Sequence, residues 1–357
     1  MKKVCVFSII CLFSMFLIGC QSVEPVETKK PTGVIEVVPT LDDEIKNDTT
    51  WCCTFQLVWN DMQDLVTVDG VHMNPQPEIV DLLNKQDFKE DMISEEYFYK
   101  KFGVASPELK EEIIKGLRQK FNQSSDILNQ LDFTQPEDSD TIRYIFYTML
   151  YREFEYKYKF DLLGKDSFKG SNPTDVDYFG INNKSDSKLY AQIIVNYYKD
   201  KDNFAITLVT KNNDQVVLIK NPNGNTFGNI WENYQKDTSN STTKEYFTKY
   251  DVFKMPKLSI NVLKEYKELY SKKFPTKDGE VGEIEKALQT IKFDIDEKGG
   301  RIKSEAAIQM VKSNAVIMDE KPEPRYFNLD DTFALFLKEE GKDMPYFGVV
   351  VDDITKY

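Results

Sequence analysis

Histidine is nearly missing from these 357 residues: the only one is His72, beside the Asp69-Gly70 turn. A histidine metal cluster is therefore excluded. A serine nucleophile would have His72 as its sole partner, and no Gly-x-Ser-x-Gly elbow is present to carry it. His72 reads as a solvated loop residue. There is no Walker loop, no Gly-x-Gly-x-x-Gly and no spaced Cys-x-x-Cys. Of five cysteines, Cys5, Cys11 and Cys20 stand in the first twenty residues, which leaves the adjacent pair Cys52-Cys53. Adjacent cysteines bridge only through a strained ring, so no disulfide framework is expected and the pair reads as buried and reduced. Basic charge is in deficit: the formal net charge is −13. Such a surface repels phosphate backbones and anionic headgroups, so nucleic acid is not an expected partner. No cofactor is implied. Carboxylates are abundant, and a glycosidase needs only two. The candidates Asp330-Asp331 and Asp352-Asp353 are sequence neighbours, however, which point to opposite faces in a strand, and they read as turn charges.

The N-terminus carries a positive signal. Lys2 and Lys3 precede an apolar run from Val4 to Ile18, followed by Leu17-Ile18-Gly19-Cys20. A basic start, an apolar middle and small residues before a cleavage point describe an export signal. The run is shorter than the ~20 residues that span a bilayer, and no later run is long enough. The tetrapeptide resembles a bacterial lipobox, in which the cysteine becomes the lipidated first residue. The expectation is a lipoprotein signal peptide over 1–19, with Cys20 lipidated and the rest exported and held to the cell membrane, facing outside the cytoplasm. Loss of Lys2 and Lys3 would bring the net charge to −15. Residues 20–50 are rich in Val, Glu, Thr and Pro and lack aromatics, which predicts a flexible tether averaging about 30 Å. Nothing within 51–357 reads as a linker, so one domain is expected there.

Inside that span Phe55, Val58, Met62 and Leu65 recur at helical steps. SPELKEEIIKGLRQKF is the best-signalled helix: Ser106 caps it, Pro107 suits its first turn, and Leu109, Ile113, Leu117 and Phe121 form one stripe. Phe154, Tyr156, Tyr158 and Phe160 alternate with charged residues as in an amphipathic strand, with a sugar-binding aromatic platform as the alternative. Ile193 to Tyr198 and Phe204 to Val209 read as strands paired around KDKDN, and KNPNGN as a turn. A helical stretch is expected to carry Leu263, Tyr266, Leu269 and Tyr270. Strands and helices mix without regular βαβ alternation, which predicts an α+β fold of several sheets with surrounding helices.

The C-terminal stretch from Phe293 to Asp352 carries the most information. Phe293 and Ile295 alternate with Asp294 and Asp296 as a half-buried strand, which Gly299-Gly300 is expected to break. Arg301 to Pro324 has no helical stripe and reads as a long exposed loop, and loops of that length usually carry function. Phe333 to Lys338 and Tyr346 to Val351 then predict a closing hairpin central to the core.

At these residues the chain resembles the serpin family of protease inhibitors. Glu297, Lys298 and Gly299 match the family's hinge start, and Ser304-Glu305-Ala306-Ala307 its Thr/Ser-Glu-Ala-Ala hinge, displaced by about four residues. Phe333 to Leu337 and Phe347-Gly348 match its closing strands. YDVFKMPKLSI, the paired strands near residue 200, Trp231 and TMLYREFEYKYKF follow upstream in the family's order. The resemblance runs from about Thr141 to the C-terminus and is thin over 51–140. Two features depart from the pattern. The Ser-Pro-x-Ser segment that helps the central sheet open has no counterpart, and the histidine three residues before the hinge strand's phenylalanine falls at Thr290.

The resemblance implies a non-catalytic protein whose exposed loop is bait for a serine or cysteine protease. Cleavage lets the hinge insert as a new strand in the central sheet, dragging the acylated protease with it. Counting by twos puts Ser304, Ala306, Ile308 and Met310 on one face of such a strand. Ile308 and Met310 are bulkier than the family's short side chains, and Lys312 would next face inward, where an unpartnered charge costs several kcal/mol. Scissile candidates are Lys312, Ser313, Ile317, Met318 and Lys321. A serpin-fold binding or structural protein without inhibitory action, and a carbohydrate- or solute-binding lipoprotein, remain as alternatives.

Overall fold

The computed structural model describes residues 34–137, 141–212, 214–243, 245–302 and 323–357. The chain opens with strands β1 (Glu36–Val38) and β2 (Thr49–Cys52), then helices α1 (Thr54–Val66) and α2 (Glu78–Leu83). Next come β3 (Phe98–Val104), α3 (Pro107–Phe121), β4 (Tyr144–Leu150), β5 (Arg152–Glu155), β6 (Asp161–Phe168) and β7 (Thr174–Ile181). The strands β8 (Ile193–Asp200), β9 (Asn203–Val209) and β10 (Asp214–Lys220) lead into α4 (Phe227–Ser239). They are followed by β11 (Val252–Pro256), β12 (Leu258–Glu265), β13 (Lys273–Pro275), β14 (Val281–Glu283), β15 (Leu288–Ile295) and β16 (Gly299–Ile302). Beyond residues 303–322 lie β17 (Tyr326–Asn328), β18 (Phe333–Glu339) and β19 (Pro345–Val351).

Among the described residues these strands build five sheets, and the class is mixed α+β as expected. A seven-stranded sheet has the order β1-β2-β19-β18-β10-β9-β8, and two four-stranded sheets run β17-β11-β7-β6 and β12-β15-β16-β5. The ribbons β13-β14 and β3-β4 complete the set. The closing hairpin sits inside the largest sheet, where Phe333 to Leu337 are buried on both faces. Phe293 of β15 meets Phe347 of β19 with ring centroids 4.8 Å apart, which joins the hinge sheet to the core.

Local signals in the sequence account for several elements. The Ser106 hydroxyl accepts from Leu109 N at 3.1 Å, Pro107 opens α3, and Asn122 ends it in the left-handed region at φ 53°. Strands β8 and β9 pair antiparallel around the charged turn, and α4 carries the buried Trp231.

Three expectations are corrected. The tether does not extend to residue 50: β1 pairs parallel with β2, and Ile35, Val37, Val38 and Leu41 are buried. The β-branched run Val34-Ile35-Glu36-Val37-Val38 is strand-forming, and an open sheet edge gives it a partner. Helix α1 is present as expected: Phe55, Leu57 and Trp59 are buried, and Met62 packs against the cluster that holds Phe55 and Trp59. The row from Phe154 to Phe160 is not one strand: β5 stops at Glu155, and Tyr156 and Phe160 turn into an aromatic cluster with centroids 4.8 Å apart. Leu263 lies in β12 rather than a helix, since pairing with β15 along eight residues outweighs the local helical spacing, and only Lys267–Leu269 forms a short 3-10 turn.

Candidate insertion site at the hinge

β15 ends at Ile295, and the chain reverses at once. Asp296 N donates to Gly299 O at 2.8 Å and Lys298 N to the Asp296 carboxylate at 2.7 Å. Gly299-Gly300 therefore does not end the strand pattern, as the sequence suggested, but begins β16. That strand runs antiparallel to β15, with Asp294 opposite Arg301, and antiparallel to β5, with Ile302 opposite Arg152. Three backbones approach closely here, and only glycine fits. A Cβ on Gly299 would lie 2.0 Å from Phe154 O, and one on Gly300 2.4 Å from the Phe154 ring.

Glu297 is 5% exposed. Its carboxylate meets the Lys257 ammonium at 2.6 Å and that of Lys159 at 3.4 Å. Burial alone would raise its pKa, but the Lys257 hydrogen bond and the lysine charges outweigh burial and hold it below the ordinary value. Its backbone also works, since Glu297 O accepts from Phe160 N at 2.8 Å and Lys298 O from Tyr156 N at 3.0 Å. Of the expected hinge, Glu297 and Gly299 are thus fixed at the head of β16. Ser304, Glu305, Ala306, Ala307 and the scissile candidates Lys312, Ser313, Ile317, Met318 and Lys321 lie outside the described residues, as does Cys20.

Beneath β16 lies a charged group that sequence reasoning missed. The Arg152 guanidinium pairs with Asp214, whose carboxylate also accepts from Tyr346 OH at 2.8 Å, and it donates to Tyr97 OH and to Asn212 O at 3.0 Å. Burial pushes the Asp214 carboxyl up to about 6, with Arg152 and Tyr346 opposing. The only local signal was a charge at the head of the apolar run DQVVLIK.

β4 continues β5 through Tyr151, so β4 and β15 flank the line along which β16 points. No ladder joins these two strands among the described residues. On β15 the polar clasp is Gln289, buried, with its amide NH2 donating to Cys52 O and to the Thr54 hydroxyl, each at 3.0 Å, and its oxygen accepting from Tyr266 OH at 2.7 Å. The clasp stands one residue before Thr290, where the missing histidine was sought. Cys52 and Cys53 are buried free thiols.

The chain returns at β17, in a different sheet. Arg325 grips Asp251 with two hydrogen bonds of 3.0 and 2.8 Å, and Phe327 and Leu329 are buried. The carboxylate pairs have structural partners. Asp330 binds Lys220 at 2.8 Å and Lys169 at 2.9 Å, Asp352 accepts from the Thr332 hydroxyl at 2.7 Å, and Asp353 accepts from Thr355 N at 3.1 Å. His72 is exposed.

No protein-family model matches this sequence, and no curated protein matches it. Solved structures do. Thyroxine-binding globulin in complex with thyroxine aligns at 12% identity and a TM-score of 0.50, over 86% of this chain and 93% of that one. The mouse protein-Z dependent protease inhibitor aligns at 12% identity and 0.49, over 87% and 92%. Serpin48 of the insect Tenebrio molitor aligns at 13% identity and 0.48, over the same shares. The fold is a serpin fold. Within that fold β16 stands between β15 and β5, at the head of a line whose two flanking strands, β15 and β4, share no ladder among the described residues.

Proposed function

We propose that the protein is a serpin-like inhibitor of serine or cysteine endopeptidases, held to the cell membrane by lipid on Cys20 and presenting residues 304–321 as its reactive loop. It acts as bait rather than as a catalyst. The observation that carries this reading is that the chain enters 303–322 from β16, already a strand between β15 and β5, and leaves it into β17 of another sheet. Cleavage would free the segment to continue β16 along β15 and β4. Release of stored free energy by strand insertion would then drive inhibition. Incubation with a panel of trypsin-, elastase- and chymotrypsin-like and cysteine proteases tests it. An SDS-resistant complex is expected, and clean loop cleavage without complex by every protease overturns it. Globomycin-sensitive processing at Cys20, with incorporation of labelled fatty acid, tests the anchor.

A second reading, a binding protein of the same fold without inhibitory action, is favoured by one feature. A cleft of about 240 Å³ opens between α4 and the β8–β10 edge, lined by Tyr197, Asn221, Asn233 and Tyr234 among others. Loop cleavage without any rise in unfolding temperature would favour this reading over inhibition.

A further inference from the structure

The cleft between α4 and the β8–β10 edge has an apolar floor, because Ile219 of β10 and Ile230 of α4 line it and are buried. Its walls are polar but carry no net charge. Among the described residues that line it, Lys199 is the single cation and Asp237 the single anion, and they pair with each other at 2.7 Å. The rim is a loop built to stand there. Asn221 takes the left-handed region at φ 47°, and Gly224, at φ 146°, comes so close to α4 that a Cβ would lie 2.7 Å from Ile230 N. Asn233 then donates from its side chain to Asn223 O at 2.9 Å, and Ile45 N donates to Asn225 O at 2.8 Å. These bonds hold the loop by its backbone and leave the Asn223 side chain exposed at the cleft.

Tyr197 supplies the observation that points to a ligand. It lines the cleft and is only 7% exposed, yet no group among the described residues hydrogen-bonds to its hydroxyl. Burial raises its pKa, and the nearby Asp237 and Tyr234 add to the rise. A buried hydroxyl without a partner destabilises the fold that holds it, and a molecule entering the cleft would supply the missing bond. We propose that this cleft binds one neutral pyranose ring, with a sugar hydroxyl on Tyr197 and others on the amides of Asn221, Asn223 and Asn233. The proposal deepens the binding reading above and rests on it.

Size and chemistry select that ligand. A volume of about 240 Å³ lies below the roughly 300–1,000 Å³ of pockets for drug-sized molecules, so the cleft takes a single small ring. Each asparagine side chain offers both a donor and an acceptor, as sugar hydroxyls do in return. The Tyr234 ring, held against Trp231 with centroids 4.9 Å apart, gives an aromatic wall for the C–H face of the sugar. An anionic sugar is disfavoured twice over. Lys199 already has Asp237 as its partner, and the chain's net charge of −13 repels anions.

The test titrates the full chain with glucose, galactose, mannose and N-acetylglucosamine, and with glucuronate as the anionic comparison, following the sugar by saturation-transfer NMR. At least one neutral sugar should bind saturably, and at least tenfold more tightly than glucuronate. Tyr197→Phe, which removes only the unpartnered hydroxyl, and Asn223→Ala should each weaken that binding at least fivefold and leave the unfolding temperature unchanged. Tyr158→Ala, on an exposed aromatic that does not line the cleft, should leave binding as it was. No saturable binding by any of the four neutral sugars overturns the proposal. Binding that survives both cleft substitutions, or that is lost in Tyr158→Ala, places the sugar elsewhere and overturns it too, as does glucuronate binding as tightly as the neutral sugars. The binding reading beneath it fails separately, through a rise in unfolding temperature after loop cleavage, whatever the sugars do.

Discussion

Gly299 lies so close to Phe154 that a Cβ would fall 2.0 Å from the Phe154 carbonyl oxygen. The start of β16 is thus set by backbone-to-backbone contact, which no rotamer change can relieve.

Gly299→Ala should push β16 away from β5 and cost about 1–3 kcal/mol, as overpacking a tight site does. The amide of Tyr156, which donates to Lys298 O, should exchange faster with solvent deuterium. Arg301→Ala, which removes only an exposed pair with Glu153, should change stability by less than about 0.5 kcal/mol. Equal effects from the two would refute the steric account.

Glu297 gives a pH dependence of defined sign. Its folded-state pKa is below the ordinary 4.5, so its stabilising contribution is complete above that value and drains away as pH falls through the lower folded value. Chemical denaturation from pH 6 to pH 3 should show part of the acid loss of stability disappear in Glu297→Gln. That variant should also be less stable at pH 7 by about 1–3 kcal/mol, because Lys257 loses its charged partner.

The Arg152–Asp214 pair behaves in the opposite sense. Asp214 titrates near 6 rather than its ordinary 3.8, so its contribution is full below 3.8 and is lost as pH rises through 6, a difference of about 3 kcal/mol. Arg152→Met removes the charge that limits this rise and should destabilise by about 3–5 kcal/mol at pH 7, and by less at pH 5. Arg152→Met with Asp214→Leu should cost less than Arg152→Met alone, which a double-mutant cycle will read.

Gln289→Leu leaves Tyr266 OH and Cys52 O without their partner in the core. The uncut protein should lose about 1–3 kcal/mol. If the clasp resists opening of the line between β15 and β4, the variant should also insert a cleaved loop faster, measured as the rate at which heat resistance appears after cleavage.

Much of this was legible along the chain because the signals were local. Ser106-Pro107 starts α3, the charged turn joins β8 to β9, and the uninterrupted apolar run in β19 marks a strand buried on both faces. The failures were of a different kind. Residues 34–50 were read by composition as a tether, but Ile35 and Val37 found an open sheet edge. Leu263, Tyr266 and Leu269 have helical spacing, and eight paired residues of β15 outweighed it. Gln289 was missed because a polar residue inside a strand looks the same whether it faces water or a buried carbonyl.

By itself the sequence determined the order of many of the elements, the cap of α3 and the glycine pair Gly299-Gly300, since each depends on a few neighbouring residues. Only the tertiary structure decided that the glycines begin a strand rather than end one, because that depends on Phe154, nearly 150 residues away in the chain. It also decided which face of β16 points inward. Burial of Ile302 between β15 and β5 sets that direction, and no local pattern contains the two strands that surround it.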